Sequence, residues 1–256
     1  MGRLTGKKAI ISGGASGIGA ASAKHFIAEG AQVVIGDINV EKGQAIVAQY
    51  GDELGFVELD VTLPDSWDAA MAYASEQMGG LTTVINSAGV SIPIPIENLS
   101  LEDFRHTMAI NLDGTFLGTK AGIKALKDVE GSSIVNVAST LGHRGGSFVP
   151  AYCASKAGVL NLTRACALHC SENTYKVRVN TISPGAIHTE MVEGYINAAL
   201  AEGGTAEAVI GGFAALHPMN RLGTPDEAAH AIVYLASDES AYSTGIDIPV
   251  DGGYLA

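Results

Sequence analysis

Cysteine and positive charge are both scarce in this chain. Three cysteines among 256 residues are too few, and odd in number, for a disulfide framework of the kind found in small secreted domains. The 15 basic residues face 27 acidic ones, and the formal charge of −12 repels nucleic-acid backbones and acidic membranes. Apolar runs of membrane-spanning length and a secretion signal are missing too. We therefore expect a cytoplasmic protein that binds neither nucleic acid nor membranes.

The chain does have a large apolar fraction in an alternating pattern. Hydrophobic residues make up 47% of the sequence, enough for a large core in one domain, residues 1–256. The predicted strands are 7–12, 31–37, 55–61, 81–87, 132–139, 176–183 and 245–250, and the predicted helices are 17–29, 40–50, 65–78, 101–127, 152–171 and 225–236. This alternation is typical of a doubly wound α/β (Rossmann) fold, a seven-stranded parallel sheet with helices on both faces.

One long stretch departs from the alternation. Residues 190–222 are apolar and are interrupted by Gly194, the pair Gly203-Gly204 and the pair Gly211-Gly212. Long segments of this kind are often functional loops. We expect this lid segment, residues 190–222, to be a mobile cover over a site.

A glycine-rich turn follows the first predicted strand. Gly13, Gly17 and Gly19 are spaced so that the backbone can turn tightly and approach a diphosphate at a helix N-terminus, and Ser16 and Ile18 lie in the same turn. A glycine trio alone can also be an ordinary tight turn. Its position between a strand and a helix favours dinucleotide binding.

An acidic residue ends the second predicted strand. Asp37 lies 18 residues beyond Gly19, where a carboxylate can accept from a ribose 2′-hydroxyl and would repel a 2′-phosphate. The neighbouring Ser16 and Ile38 offer no guanidinium to bind that phosphate. The pattern predicts NAD rather than NADP, the alternative being a solvated aspartate in a turn.

A tyrosine and a lysine share one face of the predicted helix 152–171. Tyr152 and Lys156 are four residues apart, so the ammonium can approach the phenol. A cation about 4 Å away is worth about 4 kcal/mol at an effective dielectric near 20, which is roughly the cost of lowering a phenol pKa by three units. The pair can supply this shift if burial does not oppose it too strongly, and oxidised nicotinamide would add a second positive charge. Such pairs also occur by chance. Ser139, at the carboxyl end of the fifth predicted strand, favours a catalytic role because its hydroxyl could hold a substrate oxygen against Tyr152.

These motifs have a known counterpart. Together with Asn86-Ser87-Ala88-Gly89, Asn111 and Pro184-Gly185, they resemble in the same order those of the short-chain dehydrogenase/reductase family, nearly end to end. Within it, the segments TRACALHC and YKVRVNTISPGAIHTEM are similar to those of bacterial hydroxysteroid and cyclic secondary-alcohol dehydrogenases.

The resemblance implies an NAD-dependent oxidoreductase that interconverts a secondary alcohol and its ketone by hydride transfer, with Tyr152 as acid and base. Ser139 would stabilise charge on the substrate oxygen, Lys156 would also bind the nicotinamide ribose, and Asn111 would hold a water that links Lys156 to solvent. Further cofactor contacts would come from Asp60, Val61, Asn86, Ala88, Gly89, Pro184, Gly185, Ile187 and Thr189. A homotetramer built through helices 101–127 and 152–171 is also expected.

The residues expected around the substrate are mostly apolar. They are Ser139, Leu141, His143, Phe148, Val149, Met191, Val192, Tyr195 and Phe213. Arg144 is the only nearby basic residue, so a nonpolar small-molecule alcohol or ketone is predicted, with a cyclic or steroid-like one favoured. Two alternatives stay open: an NADPH-dependent reductase of 3-oxoacyl chains or other carbonyls, and a noncatalytic dinucleotide-binding protein. Cys166, His169 and Cys170 lack a fourth ligand, so we expect no metal site.

Overall fold

The computed structural model describes residues 2–201 and 203–256. Seven strands from these residues form one sheet, in the order β3-β2-β1-β4-β5-β6-β7, and every neighbouring pair is parallel. The strands are β1 (Lys8–Ser12), β2 (Gln32–Asp37), β3 (Leu54–Glu58), β4 (Thr83–Asn86), β5 (Ser132–Val137), β6 (Val177–Pro184) and β7 (Asp247–Val250). The prediction of a seven-stranded parallel α/β fold is confirmed.

Helices cover both faces of the sheet. They are α1 (Gly17–Ala28), α2 (Val40–Tyr50), α3 (Pro64–Met78), α4 (Leu101–Met108), α5 (Gly114–Leu126), α6 (Pro150–Glu172), α7 (Glu190–Ala201), α8 (Ala206–Ala215) and α9 (Pro225–Ala236). One apolar core joins α1, α2 and α9 to one face, and a second joins α3, α5 and α6 to the other. Central strands are therefore buried on both sides, as β5 is along its whole length.

Local sequence explains where several helices begin. The Thr224 side chain accepts from the Glu227 amide while the Glu227 carboxylate accepts from the Thr224 amide, a capping box that starts α9 at Pro225. Pro64 occupies the first turn of α3, where its missing N–H costs nothing. Both helix starts agree with the sequence pattern.

The predicted helix 101–127 is interrupted. Between α4 and α5 the chain forms a π-helical turn, Ala109–Asp113, with Asn111 buried at its centre. Such turns carry one extra residue per turn and often mark functional sites. The interruption directs the Asn111 side chain towards the loop after β4, where its amide oxygen accepts from the Val90 N–H.

The lid segment is more regular than its glycines suggest. It contains α7 and α8, where the sequence predicts a long loop. Gly194 lies inside α7, and Gly211 and Gly212 lie inside α8. Glycine lowers helix propensity by about 1 kcal/mol, but tertiary packing overrides such a preference.

The sheet order brings the loops after β1 and β4 together at the carboxyl edge of the sheet. β1 lies between β2 and β4, so the chain leaves β1 towards one side of the sheet and leaves β4 towards the other. Ligands of doubly wound sheets bind in the crevice that opens at such a reversal, outside the carboxyl ends of the strands. In the described part of the chain, no helix combines the length and apolarity needed to cross a membrane.

Candidate active site

A cavity of about 1080 Å³ opens at the carboxyl edge of the sheet. The glycine-rich turn and Asp37 line it, and so do Ser139, Tyr152 and Lys156. Segments distant in the sequence therefore meet around one space.

Glycine is required where the turn after β1 meets the loop after β4. Gly13 has φ +66°, and a Cβ there would lie 2.7 Å from the Cα and the nitrogen of Ala88. Gly17 has φ +50° and begins α1, while a Cβ on Gly19 would overlap the Gly13 carbonyl oxygen. The turn thus brings bare backbone and the helix N-terminus to the cavity wall, the arrangement that binds phosphate groups.

The Asp37 carboxylate is held at the end of β2. Its Oδ2 accepts from the Ala15 N–H at 3.0 Å and its Oδ1 accepts from the Asn39 N–H at 2.9 Å. Each oxygen keeps a further lone pair for another donor. The position suits recognition of neighbouring hydroxyl groups.

Ser139 and Tyr152 come from consecutive elements. Ser139 follows β5 by two residues and begins a short 3₁₀ turn, Thr140–Gly142, where its Oγ accepts from the Leu141 N–H at 3.1 Å. Tyr152 lies in the first turn of α6 and is partly buried. The hydroxyl of Ser139 is close enough to the phenol to influence its protonation.

Burial shifts the pKa values of Tyr152 and Lys156 in opposite directions, and each shift favours the neutral form of the side chain. It raises the pKa of Tyr152 to about 12, and hydrogen bonding with Ser139 opposes this rise only in part. Burial also lowers the pKa of Lys156 to about 8. The sequence predicts a lowered phenol pKa only if burial does not oppose it, and in the protein alone burial does oppose it. The Lys156 ammonium donates to the Val137 carbonyl at 2.8 Å and lies 5.6 Å from the Tyr152 ring centroid.

Asn111 lies behind the cavity wall. Its amide nitrogen donates to the Val90 carbonyl at 2.9 Å and to the Ser155 hydroxyl at 3.1 Å. Its Oδ1 and the Lys156 Nζ would lie 3.3 and 3.5 Å from a Cβ on Gly89. Asn111 therefore fixes the loop after β4 against α6, next to the lysine.

Most of the predicted cofactor residues line the cavity. Those that do are Gly13, Ser16, Gly17, Ile18, Asp37, Ile38, Asp60, Val61, Ala88, Gly89, Tyr152, Lys156, Pro184, Gly185, Ile187 and Thr189. Gly19 and Asn86 do not. Gly19 packs beneath the turn, and the Asn86 amide donates to Asn136 at 2.7 Å between the sheet and α5. A cofactor contact by Asn86 stays a prediction, with its side chain engaged by Asn136.

The predicted substrate residues line the cavity with one exception. Ser139, Leu141, Phe148, Val149, Met191, Val192, Tyr195 and Phe213 do so. His143 does not line the cavity, because the 3₁₀ turn directs its ring away from it. Its Nε2 lies 2.9 Å from Asp247 Oδ2 and 3.3 Å from Ser183 Oγ.

Sequence reasoning missed other cavity residues. They include Ser91, Ile92 and Pro93 after β4, His106 on α4, Leu216 and His217 after α8, and Tyr254 near the C-terminus. The position of Ser91-Ile92-Pro93 directly after the Asn86–Gly89 motif could have indicated the first group. The sequence contains no comparable signal for Tyr254.

Comparison with known proteins identifies the chain. A family model described as enoyl-(acyl carrier protein) reductase matches residues 13–255. The chain belongs to the short-chain dehydrogenase/reductase family. It is therefore an oxidoreductase of a family that uses a nicotinamide dinucleotide.

Relatives within this family differ in substrate. The 2,5-dichloro-2,5-cyclohexadiene-1,4-diol dehydrogenase of Sphingobium indicum is 42% identical over 98% of this chain and 97% of its own length. A 3-alpha-(or 20-beta)-hydroxysteroid dehydrogenase of Mycobacterium tuberculosis is 39% identical, over 100% of this chain and 92% of its own. An NADP-dependent (R)-specific alcohol dehydrogenase of Lentilactobacillus kefiri is also 39% identical, over 99% and 98%.

The residues around the cavity fit the family's dinucleotide. Gly13 and Gly17 line the cavity without side chains, so the glycine-rich turn presents backbone to it. A Cβ on Gly13 or Gly19 would overlap neighbouring backbone, so glycine is required for the turn to keep this shape. Asp37 lies on the same cavity as Tyr152, so one extended molecule can contact both. The glycine-rich turn would bind its diphosphate, and Asp37 its adenosine ribose.

Proposed function

We propose that this chain is an NAD-dependent dehydrogenase that interconverts an uncharged, largely apolar, cyclic secondary alcohol and its ketone. Tyr152 acts as the acid and base. The carrying observation is that the Tyr152 phenol, Ser139 and Lys156 line the same cavity as the glycine-rich turn and the Asp37 carboxylate.

Tyr152 and Ser139 carry the proton chemistry of this proposal. When bound, the nicotinamide dinucleotide supplies the hydride acceptor for oxidation and the hydride donor for reduction. In oxidation the Tyr152 phenolate accepts the hydroxyl proton as the carbinol carbon loses its hydride. The Ser139 hydroxyl donates to the same substrate oxygen and stabilises its developing charge. Reduction follows the reverse path, with the Tyr152 phenol as proton donor.

Lys156 and Asn111 support that proton transfer. The pKa of Lys156 is lowered to about 8 by burial, so this amine can gain and lose a proton near physiological pH. Asn111 holds the Val90 backbone and Ser155 in place beside it. A water between Asn111 and Lys156 that reaches solvent stays a prediction from the resemblance.

The cavity wall supports an uncharged substrate. Among the described residues that line it, none is arginine and Lys156 is the one lysine. Phe148, Tyr195 and Phe213 form an aromatic cluster, with ring centroids 6.3 Å apart for Phe148–Tyr195 and 5.7 Å apart for Tyr195–Phe213. A carboxylate placed beside these rings would lose water without gaining a cation. Two of the three relatives are named for a cyclohexadiene diol and for a hydroxysteroid, and these names support a cyclic substrate.

Turnover of a small panel tests this function. With NAD supplied, NADH absorbance should rise with cyclohexanol, a hydroxysteroid or 1-phenylethanol, and kcat/KM should be at least about tenfold lower for 4-hydroxycyclohexanecarboxylate because nothing pairs its charge. Turnover restricted to NADPH and 3-oxoacyl thioesters would overturn the proposal and favour the carbonyl reductase alternative.

The lid segment is proposed to close over the bound molecules. The Tyr195 hydroxyl on α7 donates to the Ser91 hydroxyl at 2.6 Å, and Lys42 on α2 pairs with Glu190 at 2.8 Å. Both contacts join α7 to the body of the fold. Hydrogen exchange across Glu190–Ala201 should slow when NADH binds. Exchange that is the same with and without NADH would contradict closure.

Quaternary structure and location stay predictions. Phe116 on α5 and Leu168 on α6 are exposed apolar residues, 44% and 63% accessible, on two of the helices expected to meet a second subunit. This exposure supports the proposed homotetramer, which light scattering would test. A cytoplasmic location is retained as a proposal from the scarcity of cysteine.

A further inference from the structure

His217 occupies an unusual position between two parts of the cavity wall. It follows α8 and is 6% exposed. Its Nδ1 lies 2.7 Å from the Phe213 carbonyl oxygen, and its Nε2 lies 3.0 Å from the Ala186 nitrogen. One ring therefore bonds the backbone of the lid segment and the backbone of the turn after β6.

These two partners define the protonation of the imidazole. A carbonyl oxygen only accepts, so Nδ1 carries the hydrogen and donates to Phe213. A backbone amide only donates, so Nε2 offers its lone pair to Ala186. His217 is thus a neutral imidazole in a single tautomer, with both nitrogens bonded to main chain.

Packing holds the ring in this orientation. Its plane stacks on Tyr254, with centroids 5.1 Å apart and an interplanar angle of 29°, and the Arg144 guanidinium lies 4.6 Å above the Tyr254 ring. A Cβ on Gly185 would lie 2.6 Å from His217 Nε2. Glycine at 185 therefore lets the imidazole approach the backbone of the turn.

Each bond of His217 leads to a different part of the cavity. Ala186 is followed by Ile187 and Thr189, which line the cavity, and the Thr189 methyl would lie 3.3 Å from a Cβ on Gly17. The turn after β6 thus lies against the glycine-rich turn after β1. Phe213 lines the cavity and contacts the Tyr195 ring. The end of α8 thus belongs to the aromatic cluster of Phe148, Tyr195 and Phe213.

We propose that His217 is a positioning residue that couples the cofactor-binding turn, Pro184–Thr189, to the substrate-facing end of α8. The inference rests on the proposed function, because it assigns the turn to the cofactor. In this arrangement NADH binding depends on the Nε2 bond, and the order of α8 depends on the Nδ1 bond.

Two amide variants separate these bonds. In His217→Gln the side-chain oxygen reaches the Nε2 position and can accept from Ala186, whereas in His217→Asn the amide nitrogen reaches the Nδ1 position and can donate to Phe213. His217→Ala makes neither bond. NADH affinity, measured by fluorescence titration, reports whether the Pro184–Thr189 turn keeps its position. Hydrogen exchange of residues 206–217 reports whether the end of α8 stays ordered.

The expected results cross over between the two variants. His217→Gln should bind NADH within about twofold of the unmodified chain but exchange faster in α8. His217→Asn should keep α8 protected but bind NADH about tenfold more weakly, the effect of one lost hydrogen bond. His217→Ala should show both defects.

Packing alone would produce a different result. If the Gln and Asn variants behave alike in both measurements while the unmodified chain binds NADH, His217 only fills space and this inference is overturned alone. If the unmodified chain binds no NADH, the proposed function is overturned and this inference with it.

Discussion

Replacing Tyr152 with phenylalanine is expected to lower kcat about a thousandfold while NADH affinity changes less than about twofold. The variant keeps the aromatic ring beside the Lys156 ammonium and loses only the hydroxyl that is proposed to transfer the proton. A positioned acid or base contributes typically 10²–10⁴-fold to rate, which sets the size of the effect. Steady-state turnover with cyclohexanol and NADH fluorescence titration measure the two quantities. A Tyr152→Phe enzyme with at least a tenth of the original kcat would show that another group transfers the proton.

Tyr195→Phe is the matched control. It removes a phenol hydroxyl from the same cavity, but that hydroxyl bonds Ser91 on the loop after β4. Its kcat should fall less than about tenfold, with any larger effect in KM, because the lid contact and not the proton acceptor is lost. Equal losses in the two variants would indicate general damage to the cavity.

The pH dependence of alcohol oxidation should follow Tyr152. Because burial raises its pKa to about 12, only a small fraction of the phenol is ionised near neutral pH in the protein alone. In the proposed mechanism oxidation requires the phenolate, so kcat/KM should increase with pH across the range in which the enzyme is stable. Reduction requires the protonated phenol and should not show this increase. The residual activity of Tyr152→Phe should lose the increase as well.

Replacing Asp37 with asparagine is expected to reduce the preference for NADH over NADPH about a hundredfold. A 2′-phosphate beside this carboxylate would meet a like charge, a repulsion of roughly 3–4 kcal/mol at about 4 Å and an effective dielectric near 20. NADH binding should weaken as well, because asparagine cannot accept from both the Ala15 and the Asn39 N–H groups as Asp37 does. Dissociation constants of both cofactors measure the ratio.

Asp60→Asn supplies the comparison. Asp60 is a second carboxylate on the cavity wall, and its Oδ1 accepts from the Thr62 amide and the Thr62 hydroxyl. Its removal should weaken both cofactors by a similar factor and leave their ratio unchanged. If the ratio of the two dissociation constants changes with Asp60→Asn but not with Asp37→Asn, the carboxylate after β3 selects the cofactor, and the role proposed for Asp37 at the end of β2 is contradicted. The NADP-dependent relative at 39% identity shows why membership of the family does not decide the cofactor.

The sheet and the centre of the site could be predicted because their signals are local. Buried parallel strands are continuous apolar runs, such as the six buried residues of β5, and the glycine-rich turn follows β1 directly. Tyr152 and Lys156 are spaced to share one helix face, and Ser139 follows β5. These two signals predict that the three residues meet, and all three line one cavity.

The remaining features depend on tertiary contacts. The 3₁₀ turn after Ser139 rotates His143 towards Asp247 on β7, a partner 104 residues away. The glycine content of the lid segment conceals α7, which buries Val192 and Ile196, and α8, which packs against α7. The pKa of Tyr152 depends on how deeply the phenol is buried, and the extent of that burial is not visible in the sequence.

The buried amine of Lys156 has a consequence for the folding equilibrium. Its pKa falls from the ordinary 10.5 to about 8, so the unfolded chain holds this proton more tightly than the native chain does. Between these two pH values the free energy of unfolding rises with pH, and below pH 8 the native state is destabilised by about 3 kcal/mol relative to a lysine in water. Near neutral pH the buried Lys156 ammonium therefore lowers the stability of the native state. A Lys156→Met variant should be more stable, but it would lack the amine that the proposed mechanism uses.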